Sequence, residues 1–361
     1  MHATLKTILE GVYDPDCILN VLLGKPHIVR NIWIFIKNSW KRHIKLPTKN
    51  DIDHYNDYRD DFSYDKASGA TLVNDLAFFR LAGYCQFPEP TNININMMPF
   101  IVSTVFEKTK LPASVLPYKD MIRQVIQTAY GWNNRNKAAL IGKIFFLTIQ
   151  ESWVEENTSQ RRAGLHTDNP GPIKIRKSSG LSNSEDEMKT GGFSKGSGSH
   201  NFVECWHHWG NTNDLGGIYM ASNVADSCQV WNCKVIPDEE TGLEVISHFG
   251  DIEHLREFLP AEESVQILDE SCIYWITDRT PHESLPLKKG QYRQFFRIVT
   301  SDVSLWFVDD NTENPNGVKP DPTITKLVKG SKFKPDSLEL VEDDQDTTTA
   351  LNEQLNSSGI S

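Results

Sequence analysis

Tyr292-Arg293-Gln294-Phe295-Phe296-Arg297-Ile298-Val299-Thr300 is the stretch on which the fold turns. Aromatic and β-branched residues dominate it, which suits a strand. A period of two puts Arg293, Phe295 and Arg297 on one face and Tyr292, Gln294, Phe296 and Ile298 on the other. Two arginines in so apolar a strand are costly to bury without anionic partners. Carboxylates are the natural ones, because the guanidinium fork takes them bidentately.

Upstream, the same grammar holds back to Asn136. Lys143–Gln150 (KIFFLTIQ), Gly217–Asn223 (GIYMASN), Ser227–Val235, Ser271–Thr277 (SCIYWIT) and, downstream, Ser304–Val308 all read as strands. One helix, near Ile252–Phe258, interrupts them. Many short strands with turns between them predict a mainly β fold with flanking helices, of sandwich, barrel or jelly-roll type, and not a parallel α/β sheet. No internal repeat is found.

Residues 1–135 read mainly as helix and loop packing on that core. Ile28, Ile32, Trp33, Ile36 and Trp40 share a helical face flanked by Lys37, Lys41 and Arg42, and packing on the core is favoured over lying on a membrane. Tyr118, Met121, Ile122, Val125, Ile126 and Ala129 form a second stripe, with Pro117 at its start and Gly131 at its end. In the segment 177–200, twelve of 24 residues are Ser or Gly, which predicts a mobile loop. Residues 311–361 are expected to form an extended, largely disordered acidic tail.

The 361 residues can bury a sizeable core without staples. The formal net charge of −11 argues against a nucleic-acid binder. Seven acids and no base lie from Pro335 onward, so the folded body is only mildly acidic. No run approaches the ~18 apolar residues of a membrane span. The N-terminus lacks a basic n-region, and Glu10, Asp14 and Asp16 interrupt its apolar stretch, against a secretory signal. The six scattered cysteines contain no C-x-x-C pair and read as reduced, packed thiols, so a cytoplasmic monomer is expected. The sequons at Asn157 and Asn356 are read as accidental.

The chemistry concentrates at two places. Only one of eleven histidines, His166, has a carboxylate two positions on, in Gly164-Leu165-His166-Thr167-Asp168-Asn169-Pro170-Gly171. On a strand end His166 and Asp168 share a face, and Asn-Pro-Gly then turns the chain. The second place is Asp278-Arg279-Thr280-Pro281-His282-Glu283-Ser284, where His282 could complete a two-histidine, one-carboxylate triad. Such a triad leaves positions open for a co-substrate and dioxygen. Cys205-Trp206-His207-His208-Trp209, with His200 nearby, offers zinc-type ligands but lacks a second paired half.

Arg293 stands eleven positions after His282, and Arg297 four further on. In type, order and final spacing, His166-x-Asp168, His282 and Arg293 resemble the Fe(II)/2-oxoglutarate-dependent dioxygenases, whose pattern is H-x-D, a distant H, ten residues and R. The resemblance implies a double-stranded β-helix (jelly-roll) core over residues 136–310. It implies that His166, Asp168 and His282 hold Fe(II) and that Arg293 binds the distal carboxylate of 2-oxoglutarate, with O₂ as oxidant. Taurine-type members carry a second arginine that grips an anionic substrate, and Arg297 matches its place. Phe295 stands where the family often has a serine, so the second 2-oxoglutarate contact is unassigned. Tyr219 and Asn223, on the strand opened by Gly216-Gly217, are candidates to line the pocket beside co-substrate and substrate, with core packing as the alternative.

The implied activity couples decarboxylation of 2-oxoglutarate to C–H oxidation (hydroxylation, desaturation or cyclisation) of a small anionic substrate. Retention of Asp168 argues against a carrier-type halogenase. The Gly164–Pro172 and Asp278–Pro286 stretches are also similar to algal natural-product members, including kainoid synthases, which cyclise an N-prenylated glutamate. Two other classes stay open: a zinc or manganese hydrolase or isomerase on the same jelly roll, which has no use for Arg293, and a non-catalytic binding module.

Overall fold

The strand that carries the arginines becomes an inner strand of a six-stranded antiparallel sheet. The computed structural model describes residues 40–47, 79–103, 106, 109–131, 142–168, 173–176, 200–203, 217–236, 245–247, 250–260, 265–300, 303–334 and 338–341. Its strands are β1 (Ile44–Lys45), β2 (Phe79–Tyr84), β3 (Asn94–Ile101), β4 (Ile144–Val154), β5 (Ile173–Arg176), β6 (His200–Val203), β7 (Ile218–Ser222) and β8 (Cys228–Trp231). There follow β9 (Lys234–Val235), β10 (Val265–Ile267), β11 (Cys272–Ile276), β12 (His282–Ser284), β13 (Gln291–Val299), β14 (Leu305–Phe307), β15 (Lys326–Lys329) and β16 (Glu339–Leu340). Helix α1 spans Lys119–Gly131, after a 3-10 turn at Ala113–Tyr118.

The main sheet has the order β2-β11-β7-β13-β4-β3, and a smaller one has β10-β8-β12. Isolated bridges from His166 to both His282 and Asp251 extend the smaller sheet beyond β12. Opposed residues of an antiparallel pair point the same way, so the register sorts the main sheet into two faces. Arg297 pairs with Met220 and Ile298 with Tyr219. The Ile298 face joins Tyr219, Leu147, Ile149, Phe296 and the α1 stripe in one core. The other face, with Phe295, Met220, Phe146 and Ile276, packs on Cys228 and Val230 of the smaller sheet in a second. The fold is therefore mainly β, built on facing antiparallel sheets with helix α1 behind the larger.

Helix α1 follows the expected stripe: Tyr118, Met121, Ile122, Val125, Ile126 and Ala129 are all buried, and each large apolar side chain contributes about 1.5–3 kcal/mol by leaving water. Glu151 fixes the helix to the sheet. It accepts from the Tyr118 hydroxyl at 2.6 Å and from the N–H groups of Thr91 (2.7 Å) and Ile93 (2.9 Å). Gly217 opens β7 at φ +150° against Trp275, and a methyl group there would overlap the indole.

Three expectations need correcting. The region before residue 135 is not only helix and loop, because β2 and β3 lie in the main sheet. Their mixed polarity and Pro99 hide them in the sequence, and burial on neighbouring strands decides their state. Residues 311–334 are not a loose tail either. Asn314 Nδ2 donates to the Pro99 carbonyl at 2.7 Å, and Val318 joins the inter-sheet core. Strands β14, β15 and β16 form a further sheet with β5 and β6, over a small core of Leu305, Phe307, Val328 and Leu338. The helix expected near Ile252–Phe258 is a 3-10 turn at Glu253–Phe258. Of the first basic stripe only Trp40 is described, packed edge-on against His254 at 4.8 Å. The 177–200 loop up to Ser199 and the Cys205–Trp209 cluster fall outside the described residues.

Candidate functional site

His166 and His282 are brought together by backbone. Each donates its N–H to the other's carbonyl, at 3.0 and 2.9 Å. Their rings stand 4.4 Å apart between centroids. In both, Nδ1 faces the carbonyl two residues back: Gly164 at 2.7 Å for His166 and Thr280 at 2.9 Å for His282. The fit to a carbonyl makes Nδ1 the protonated nitrogen and leaves each Nε2 as a lone-pair donor. Gly164, at φ +84°, supplies the left-handed turn that His166 needs. Leu165 anchors the segment, fully buried among Trp231, Val245, Ile252 and Leu255.

A salt-bridged brace ties the two histidine segments together from outside. Arg256 donates to Glu283 bidentately (3.0 and 2.7 Å) and to Glu253. Glu253 in turn accepts the Leu165 N–H at 3.0 Å. One guanidinium thus holds the neighbours of both histidines.

Asp168 completes the group. Its Oδ2 lies 3.9 Å from His282 Nε2, while its Oδ1 accepts from Arg297 Nη1 at 3.0 Å. Burial pushes its carboxyl up, but Arg297 above all, then the two imidazoles, outweigh that and hold it well below the usual range. Burial lowers His166 to about 3, with His282 adding to the effect, and burial lowers His282 too. Both rings are therefore neutral near pH 7, as a metal ligand requires.

Among the described residues no three His, Cys, Asp or Glu side chains already stand at coordinating spacing. The His166–Asp168–His282 group comes nearest in chemistry, and Arg297 turns its carboxylate aside. Two cis ligands of one ion at ~2.1 Å lie roughly 3 Å apart, so the His282–Asp168 pair, at 3.9 Å, stands about 1 Å wider than that. The donor set, two imidazoles and a carboxylate, has the composition of a facial triad.

Arg293 is the largest fully buried side chain among the described residues. It is 1% exposed, yet it makes no ion pair among the described residues. Its Nε donates to Ser222 Oγ at 3.1 Å and its Nη1 reaches Ser284 Oγ at 3.5 Å. Burial pulls its guanidinium down to about 10. Ser284 follows His282 by two residues, on the same face of β12.

Several expectations look different in place. Arg297, expected to meet a substrate anion, is paired with Asp168 instead, and its Nε has no hydrogen-bond partner among the described residues. Tyr219 does not line this site: strand alternation puts it on the α1 face, in the first core. Asn223 is engaged across the strands, accepting the Gln294 N–H at 2.6 Å, and Gln294 belongs to the Tyr118–Glu151 network.

Sequence reasoning missed Arg161. Its guanidinium lies over the Phe295 ring at 4.8 Å, with Arg293 at 5.6 Å from the same ring. It sits in an aperiodic loop, so no spacing signals it. Gln160 pins that loop, donating to Ser152 Oγ at 2.9 Å and to the Arg293 carbonyl at 3.0 Å.

No family model matches the chain, and no curated protein does. Among solved structures, that of AviO1 from Streptomyces viridochromogenes Tue57 is similar over 72% of this chain and 87% of its own. The sequence identity is 11% and the TM-score 0.26, a likeness too loose to bear on fold or function.

Proposed function

We propose that this chain is an Fe(II)/2-oxoglutarate-dependent oxygenase of a small substrate, built on a double-stranded β-helix. The observation that carries the reading is Arg293: a guanidinium 1% exposed, bonded only to serine hydroxyls among the described residues, on the face shared with the histidine–aspartate group. A buried cation without an anion costs several kcal/mol. A ligand carboxylate removes that cost, whereas a hydrolase using the same triad has no need of Arg293.

Chain order supports the jelly roll. From β4 onward the chain alternates between the two sheets: β4, then the His166 segment, then β7, β8 and β10, β11, β12 and β13. Hairpins that share their strands between two facing sheets in this way are the construction of a double-sheet jelly roll.

In this reading His166, Asp168 and His282 would hold the iron. The metal, when bound, supplies the activation of O₂ that couples 2-oxoglutarate decarboxylation to substrate oxidation. The chain's own residues do the positioning. Arg293 takes the distal carboxylate, with Ser284 beside it. Two residues of strand separate His282 from Ser284, roughly 6–7 Å, which suits a five-carbon diacid with its other end at the metal. The Ser222 and Ser284 hydroxyls hold the fork in plane, a role that Phe295 cannot fill. Neutral imidazoles with fixed Nδ1–H groups present Nε2 without competition from protons.

The test is succinate and CO₂ release from 2-oxoglutarate with Fe(II), across a panel of small amino and carboxylic acids. Turnover that needs iron and is lost in Arg293→Ala supports the reading. No succinate with any acid, together with no shift in melting on adding 2-oxoglutarate, would overturn it.

A further inference from the structure

We propose that Arg161, and not Arg297, receives the anionic group of the primary substrate, and that this group is a carboxylate on a small molecule. The inference rests on the oxygenase reading for what it calls primary substrate, but its geometry is independent of it.

Four guanidinium groups, those of Arg161, Arg162, Arg293 and Arg297, lie around the site, and Arg162 faces Asp251 at 3.5 Å. Asp168 is spent on Arg297. Arg293 and Arg161 both lack an acidic partner among the described residues. Arg161 Nη1 donates to a neutral amide oxygen, Gln150 Oε1, at 3.1 Å. Its remaining N–H donors face no acceptor among the described residues. A guanidinium lying over a ring, here Phe295 at 4.8 Å, is desolvated on that face and fixed in orientation. Its in-plane edge stays available, and a planar bidentate anion is what that edge matches.

Arg293 is 1% exposed and Arg161 is only partly exposed, and burial is the first cause that lowers both guanidinium groups. Arg161 and Arg293 both lie within 6 Å of the Phe295 ring, which offers an apolar surface to the body of a ligand held there. Burial, the first cause, then the nearby Arg297, lowers Arg161 to about 9, and the field of Asp168 only partly opposes this. An arriving carboxylate relieves the same strain.

The experiment is calorimetric titration of hexanoate, and of hexanamide as its neutral isostere. Both go into wild type, Arg161→Gln and Arg161→Lys, held anaerobically with Fe(II) and saturating 2-oxoglutarate, and again into the protein alone. The expected result is that hexanoate binds wild type and hexanamide does not. Arg161→Gln should weaken hexanoate by ~10-fold or more, and Arg161→Lys should weaken it less, because it keeps the charge and loses the fork. Affinity for 2-oxoglutarate should stay within about 2-fold in both variants. Equal hexanoate affinity in wild type and Arg161→Gln overturns the proposal. So does equal binding of acid and amide, or parallel loss of both ligands. If wild type takes up no 2-oxoglutarate, the oxygenase reading falls, and the titration of the protein alone still decides Arg161.

Discussion

Replacing Arg293 with methionine should move stability and ligand binding in opposite directions. The side chain is 1% exposed and its partners are two hydroxyls. Substituting an apolar residue of similar length for a buried ionic group is neutral to stabilising, by about 1–4 kcal/mol at best. The lost hydrogen bonds offset part of this. Ser222 Oγ keeps the Val224 N–H (3.1 Å) and the Ser227 hydroxyl (3.1 Å), so its deficit is small. Ser284 loses a 3.5 Å contact, at a cost of about 1 kcal/mol. The net gain is then roughly 1–2 kcal/mol, and at about 2–4 °C per kcal/mol the midpoint rises by ~2–8 °C. Ligand response goes the other way. With 2-oxoglutarate and Fe(II) at 100 times the dissociation constant, wild type should gain ~2.7 kcal/mol. The methionine variant should gain no more than ~0.9 kcal/mol, its affinity falling ~30-fold or more. Anaerobic scanning calorimetry with and without 2-oxoglutarate reads both. A variant that melts several degrees lower and still binds 2-oxoglutarate like wild type would make Arg293 a structural residue and refute the reasoning.

Asp168→Ala should abolish succinate release and also strand Arg297, costing about 3–5 kcal/mol. Adding Arg297→Met should return most of the stability and none of the turnover, which paired melts and succinate assays check. Arg256→Ala removes an exposed brace, so stability should change by under ~1 kcal/mol while Mn(II) affinity, measured by titration, falls roughly 10-fold because both histidine segments loosen. Glu151→Gln tests the sheet–helix lock. Burial alone would raise the carboxyl of Glu151, but donors from Tyr118, Ile93, Thr91 and Gln294 win and lower it from 4.5. A depressed folded value means stability present above pH 4.5 and lost as pH falls through the folded value. The glutamine variant should therefore lose about 2–4 kcal/mol at pH 7 and show a flatter decline in acid, read from melting midpoints across pH 3–7.

What the sequence determined by itself is the part that rests on local repetition. The alternation in Tyr292–Thr300 predicted that Arg293 and Arg297 share a face, and the stripe from Tyr118 to Ala129 predicted α1, because strand and helix periods are properties of a few consecutive residues. His166, Asp168 and His282 were legible as types at suggestive spacings, and the structure brings them together through the exchanged His166–His282 backbone bonds. The sequence could not say which charged groups pair. Arg297 meets Asp168 across 129 positions, and Arg161 meets Phe295 from a loop with no period. The face taken by Tyr219 follows from register with Ile298 in a neighbouring strand. The place of β3 in the main sheet depends on β4, further along the chain, while that of β2 beside β11, like that of Asn314 against Pro99, depends on partners far more distant in sequence. Electrostatic pairing and burial are decided by distance in space, and chain order carries no direct record of that distance, so only the tertiary structure separates an arginine already paired from two that lack an acidic partner among the described residues.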